Sequence, residues 1–334
     1  MNSTRTTLSI ALALLAASAA LSACGTEAQL EADAGGPWSF TDASGKKVEL
    51  DATPQRIIAD AHAAAALMSF GIRPIGIYSD KPVDKHPSLG DEELDGIEIL
   101  GEEWGEIDVA TAAKLNPDLI VADYWPVDKA YSGMEDGVKE ESKKLADLAP
   151  VVGSAQSDSI VDLIEGYEDL AHSLGADVDA PEVVANKERF EQAVEDFEAA
   201  TAAKPNLDAL AVAPWDDMIY VAVPEHAPEL LDFQRWGLDV IVPDDPDKGF
   251  PYWENLSWEN ADKYQPDLLL IDDRGYTLSK KAMERQPTWE EIDAAAAGAT
   301  TKWPAFWLHT YEDYAEQLER LTRAIEDADP SIGA

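Results

Sequence analysis

Two stretches of the chain repeat one pattern of apolar and polar positions. Lys114–Asp123 reads KLNPDLIVAD and Lys263–Asp272 reads KYQPDLLLID, each a Lys-x-x-Pro-Asp step, an apolar run and a closing Asp. A short unalternating apolar run fits a strand buried on both faces of a parallel sheet. The proline before it stops the preceding helix, because it lacks an N–H and disfavours the α conformation in its neighbour. Each copy therefore predicts helix, proline stop, core strand and loop, and two copies predict two similar lobes. In an open parallel sheet, ligands bind beyond the carboxyl ends of the strands. That places Tyr124 and Trp125 at the lip of one lobe, and Asp273 and Arg274 at the lip of the other.

The same reading extends along the chain. Trp38, Phe40, Val48 and Leu50 flank Asp-Ala-Ser-Gly at 42–45, a hairpin signature. Arg56–Ala59, Ile75–Tyr78 and Glu98–Leu100 read as strands, with His62 and a helix over Ala63–Phe70 after the first of them. Helices are expected over Asp108–Leu115, Glu135–Leu148 and Ser159–Leu174, with an edge strand at Val151–Val152. From Pro181, a residue suited to a helix start, the pattern runs without a breaker to Ala203. Such a helix is about 30 Å long, enough for a rigid strut between lobes. Beyond it, strands are expected at Leu207–Ala213, Ile219–Val223 and Val240–Val242, and helices from Pro228 to Gly237, over Trp258–Tyr264, around Leu278–Arg285, over Trp289–Ala297 and over Tyr311–Ala328. Strands alternating with helices mean an α/β fold with parallel sheets. The loop Pro243–Glu259 is too long and too aromatic for a plain connection, and Phe250, Tyr252 and Trp253 suggest a cleft wall.

Composition changes the picture at the start of the chain. Leu8–Leu21 is an alanine-rich apolar run after a single Arg, too short for a secure membrane span, and it leads to Leu-Ser-Ala-Cys at 21–24. Residues 1–23 are thus read as a secretory signal, and Cys24, the only cysteine, resembles the lipidated first residue of a bacterial lipoprotein. Residues 24–36 form a flexible tether, 37–180 the first lobe, 181–204 the bridging helix and 205–334 the second lobe. The formal net charge of −41 excludes nucleic acid as a partner. Five histidines, His62, His86, His172, His226 and His309, are scattered in sequence with no close ligand pair. Neither a metal set nor a catalytic residue is assigned, since no nucleophile elbow, phosphate loop, dinucleotide fingerprint or zinc-protease motif follows a strand.

Taken in order, TDASGKKVEL, TPQRII, NPDLIVAD, the long helix and SWENADKYQPDLLLID resemble the substrate-binding lipoproteins of ABC importers for ferric siderophores and cobalamin. The resemblance covers nearly the whole chain after the signal. It implies two Rossmann-like lobes joined by a single long helix, a shallow cleft between them and little closing motion. It also implies an extracytoplasmic, membrane-anchored monomer that is not an enzyme, needs no cofactor, and delivers its ligand to a permease. Each lobe of such proteins presents a glutamate to permease arginines. Glu259 matches that position in the second lobe, whereas Ala110 stands there in the first, leaving Asp108 or Glu106 to substitute.

The expected ligand is a ferric siderophore, with cobalamin or haem as the alternative, and the expected ligand residues are Tyr124, Trp125, Trp215, Tyr252, Trp253, Arg274 and His62. Charge favours a neutral or cationic hydroxamate-type chelate, since Lys81 and Arg274 are the only basic candidates at the post-strand lips. Two other classes stay open: a secreted enzyme assembled on the same loops, and a structural surface protein. The missing nucleophile–base pair counts against the first, and the aromatic loop against the second.

Overall fold

The computed structural model describes residues 36–90, 92–275 and 277–333. The signal, Cys24 and the tether up to residue 35 lie outside the described residues. Strands β1 (Trp38–Thr41) and β2 (Lys47–Leu50) pair antiparallel. Asp42 Oδ1 closes their turn by accepting from the Ser44 and Lys46 N–H groups at 3.0 and 3.1 Å. There follow β3 (Ile57–Asp60), α1 (Ala61–Ser69), β4 (Gly76–Ser79), β5 (Glu98–Glu102), α2 (Val109–Leu115) and β6 (Leu119–Val121). A small antiparallel hairpin of β7 (Tyr124–Trp125) and β8 (Ala130–Tyr131) comes next, then α3 (Glu140–Lys143), β9 (Val151–Val152) and α4 (Ile160–Ser173). The sheet order is β5-β4-β3-β6-β9, parallel throughout.

Helix α5 (Pro181–Ala203) leads to the second lobe, which holds β10 (Asp208–Pro214), β11 (Met218–Ala222), α6 (Pro228–Arg235), β12 (Asp239–Val240), β13 (Trp253–Ser257), β14 (Leu268–Asp272), α7 (Lys280–Met283), α8 (Asp293–Ala297), β15 (Thr300–Trp303) and α9 (Tyr311–Asp327). Its sheet runs β13-β11-β10-β14-β15, with β12 against the start of β10. Here the expectation of a parallel sheet needs correction. β12, β10, β14 and β15 are parallel, but β11 is antiparallel to both β10 and β13. The chain turns back directly after β10, where the Trp215 N–H bonds the Met218 carbonyl at 2.8 Å, so a hairpin stands where a helical crossover would keep the strands parallel.

The repeated strands β6 and β14 hold the same rank in their sheets, each between the first strand in sequence of its own sheet and an edge strand. The Asp of each Pro-Asp step ties that opening strand down: Asp118 accepts from the Gln55 and Arg56 N–H groups, and Asp267 from that of Asp208. The 23 residues of α5 span about 35 Å. Its Phe190 packs on Tyr311 and Tyr314 of α9, and its Phe197 on Phe233 of α6. Toward the first lobe, Lys187 pairs with Glu168 of α4 at 3.1 Å. One continuous apolar core runs from α1 and α4 past α5 to β10, β14 and α9, so the lobes share their interior. Among the described residues no helix is long and apolar enough to cross a membrane.

Candidate functional site

A cleft of about 390 Å³ opens between the lobes, a volume suited to a small organic ligand. The first-lobe wall descends from the β7–β8 hairpin and the segment after it, with Trp125, Asp128, Glu135 and Asp136. Trp104 stands at the mouth, its Nε1 donating to Glu135 at 3.0 Å. Gly137 makes room for that indole: its φ is +95°, and a Cβ there would lie 2.9 Å from the Trp104 ring. The opposite wall comes from the loop before β13 (Phe250, Tyr252, Trp253), from Arg274 after β14, and from Phe306 and Trp307 after β15. His62, Asp80, Lys81 and Pro87 complete the lining.

The aromatic rings meet across the lobes. Trp125 lies 6.2 Å from Phe306 and 6.5 Å from Tyr252, centroid to centroid, while the Tyr252 hydroxyl donates to Asp128 at 3.2 Å. Lys81 Nζ donates to the Arg274 carbonyl at 3.2 Å, and Ser88 Oγ to that of Trp307 at 2.8 Å. Arg274 itself is held in a fork by Asp272, with Nη2–Oδ2 at 2.6 Å and Nε–Oδ2 at 3.1 Å, and its guanidinium lies 5.1 Å from the Phe306 ring centre. Its charge is therefore balanced within its own lobe, and it lies against the rings of Phe306 and Trp253. Four carboxylates, Asp80, Asp128, Glu135 and Asp136, share the lining with two basic side chains, which gives the cleft an acidic balance.

Of the residues expected at the ligand, the cleft brings together His62, Trp125, Tyr252, Trp253 and Arg274. Tyr124 and Trp215 lie elsewhere. Neighbours on a strand face opposite ways, so with Trp125 turned to the cleft, Tyr124 packs on Tyr131 at 5.4 Å. Trp215 rides the β10–β11 hairpin away from the lip, 43% exposed against Tyr220. Sequence reasoning did not assign Trp104, Phe306 or Trp307 to the site. The density of rings in Trp303–His309 was the signal available for the last two.

Beneath the cleft floor lies a buried polar network whose convergence the sequence did not reveal. His62 and His309 stack with ring centres 4.8 Å apart and 5° between planes, and His86 meets His62 edge-on at 4.7 Å. His309, from the second lobe, lies 2.8 Å through Nε2 from Oδ2 of the first lobe's Asp123, the closing Asp of the first repeat. Asp123 also accepts from the Tyr167 hydroxyl at 2.5 Å and Gln156 Nε2 at 3.0 Å, and its N–H donates to Asp60 at 2.7 Å. Three of the five histidines that look scattered in sequence thus lie side by side.

Burial alone would raise the Asp123 carboxyl, but the charge and hydrogen bond of His309 outweigh it, with His62 and Tyr167 adding to them, and hold the group below the usual range. Burial likewise opposes the charged form of His309, and Asp123 reverses this and raises the imidazole. Asp60 is pushed up to about 7, by burial first and then by the Asp123 charge. Burial, then the neighbouring imidazoles, keeps His62 well below the ordinary histidine value.

The three residues considered for permease docking are all exposed. Asp108 caps α2, accepting from the Thr111 N–H at 2.9 Å and its hydroxyl at 2.7 Å. Glu106 pairs with Lys139, and Glu259 sits in the first turn of the 3₁₀ segment Trp258–Lys263.

The family model for periplasmic binding proteins matches residues 76–305. No curated protein sequence matches the chain. Among solved structures, the ferric-siderophore receptor DesE from Streptomyces coelicolor is 32% identical over 88% of this chain and 99% of its own, with a TM-score of 0.80. The petrobactin-binding protein YclQ from Bacillus subtilis shares the fold at 18% identity and a TM-score of 0.64, covering 87% of this chain and 99% of its own. SirA from Staphylococcus aureus, solved with staphyloferrin B, does so at 17% and 0.58, covering 88% and 99%.

Proposed function

This chain belongs to the periplasmic binding protein family, and from that premise we propose that it captures a ferric siderophore outside the cytoplasm and hands it to an ABC import permease. The observation that supports this reading best is the cleft itself, walled by Trp125, Tyr252, Trp253 and Phe306 and holding one arginine already matched by its own carboxylate. Rings supply rigid contact area for a bulky chelate. The Arg274 guanidinium, held by Asp272, stands in this lining as the planar cation that hydroxamate or carbonyl oxygens would approach. A multiply anionic chelate needs several converging cations, and the acidic balance of this lining opposes it. The ligand is therefore a neutral or cationic chelate of hydroxamate type.

Cys24 carries the lipid anchor in this proposal, and an intact mass of the mature protein without acyl chains on Cys24 would contradict it. Glu259 meets the permease from the second lobe, with Asp108 or Glu106 in the first. The protein acts as a monomer.

Because iron chelates absorb light close to the cleft tryptophans, a ferric trihydroxamate should quench intrinsic fluorescence on binding. Trp125→Ala and Trp253→Ala should each weaken affinity by about tenfold or more, the scale of a lost anchor ring. Wild-type affinity and quenching in both variants, or preferential binding of cobalamin or haem titrated in parallel, would overturn the reading.

A further inference from the structure

We propose that His62, Asp123 and His309 form a binding site for one divalent transition-metal ion at the floor of the cleft, independent of any chelate bound above it. The donor atoms of the three residues lie within 4.8 Å of one another. His309 Nε2 stands 2.8 Å, and His62 Nδ1 3.7 Å, from Asp123 Oδ2. Donors about 2.0 Å from a tetrahedral zinc are about 3.3 Å apart, so the donors need to draw together, and the His62 ring, now stacked 5° from parallel to His309, must turn for both in-plane lone pairs to meet at one ion. Two imidazoles and one carboxylate suit a borderline ion such as Zn²⁺ or Co²⁺.

Gln156 supports the same point in space. Its Nε2 lies 3.0 Å from Asp123 Oδ2 and 3.3 Å from His309 Nε2, while its Oε1 is buried without a hydrogen-bond partner among the described residues. A half-turn of the amide exchanges the two atoms and turns an oxygen, the metal-ligating end, toward the other donors. The Tyr167 hydroxyl on Asp123 Oδ1 fixes the carboxylate from behind, the kind of support that orients metal ligands. His62 lines the cleft, so the ion has an entry path. On binding, the ion replaces the proton shared by His309 and Asp123, and that proton leaves to solvent. Since His309 comes from the second lobe and the other two from the first, the ion would also join the lobes.

The test is titration of the chelator-treated mature protein with Co²⁺ alone, read by visible absorption and calorimetry. One equivalent should bind, with the intense d–d absorption of a low-coordinate centre, and Zn²⁺ should displace it. His62→Ala and His62→Gln should abolish that absorption and weaken binding by about tenfold or more. Weak Co²⁺ binding without the absorption, equal in wild type and both variants, would overturn the site and leave the network as a clamp between lobes only. No ferric chelate enters the measurement, so failure here is separate from failure of the siderophore reading.

Discussion

Phe306 stands in the left-handed region at φ 59°, a conformation that costs of order 1–3 kcal/mol outside glycine. Its N–H donates at 3.1 Å to Oε1 of Glu229, a fully buried carboxyl behind the cleft wall, and this bond helps hold the ring against Arg274 and Trp125. Burial pushes Glu229 up from its ordinary 4.5 to about 8. The folded chain thus binds this proton more tightly than the unfolded chain. The stability it supports is complete below pH 4.5, falls as pH rises from there to about 8, and is level beyond. Glu229→Gln keeps the acceptor without the charge. Denaturant unfolding should find the variant close to wild type near pH 4 and more stable, by a few kcal/mol, near pH 8. A difference that does not change with pH would refute this account. Of the cleft lining, Trp125, Tyr252, Trp253, Arg274 and His62 were legible, because each follows a strand expected from the sequence or stands in the aromatic loop Pro243–Glu259. Tyr124 was not separable from Trp125 without knowing that they share a two-residue strand, and the His62–Asp123–His309 contact joins residues far apart in the chain.

The elements that sequence periodicity located are those with long or repeated patterns. α4 and α5 appear close to their expected ends, with Ser159 as a side-chain cap and Pro181 in the first turn, and β6 and β14 lie where the Pro-Asp steps put them. The misses are short. β7 and β8 are two-residue strands of one hairpin, too short to show a pattern, β13 and β15 gain their pairing from neighbours remote in sequence, and the segment expected to be helical from Glu135 to Leu148 contains only α3 and a 3₁₀ turn. Trp258–Lys263 is likewise a 3₁₀ segment kinked at Asn260, not an α-helix. It still presents Glu259 outward on its first turn, separate from the cleft lining. Glu259→Ala should therefore leave ligand affinity unchanged and lower uptake in cells, since an exposed interface charge guides encounter and register. Lost affinity in the folded variant would place the residue in ligand capture instead.

Across the whole molecule, the shared apolar core, the length of α5 and the interlobe contacts of Lys81, Ser88, Tyr252 and His309 argue for lobes that move little around the ligand. Recognition then rests on the shape and charge of a preformed cleft, and this chain of net charge −41 places four carboxylates against two basic side chains there. The most direct measurement is calorimetric titration of the purified mature protein, at moderate ionic strength, with a ferric trihydroxamate and a ferric tricatecholate. The trihydroxamate should bind at least about tenfold more tightly, a difference of roughly 1.4 kcal/mol. Tighter binding of the tricatecholate, or no binding of either chelate, would contradict the account.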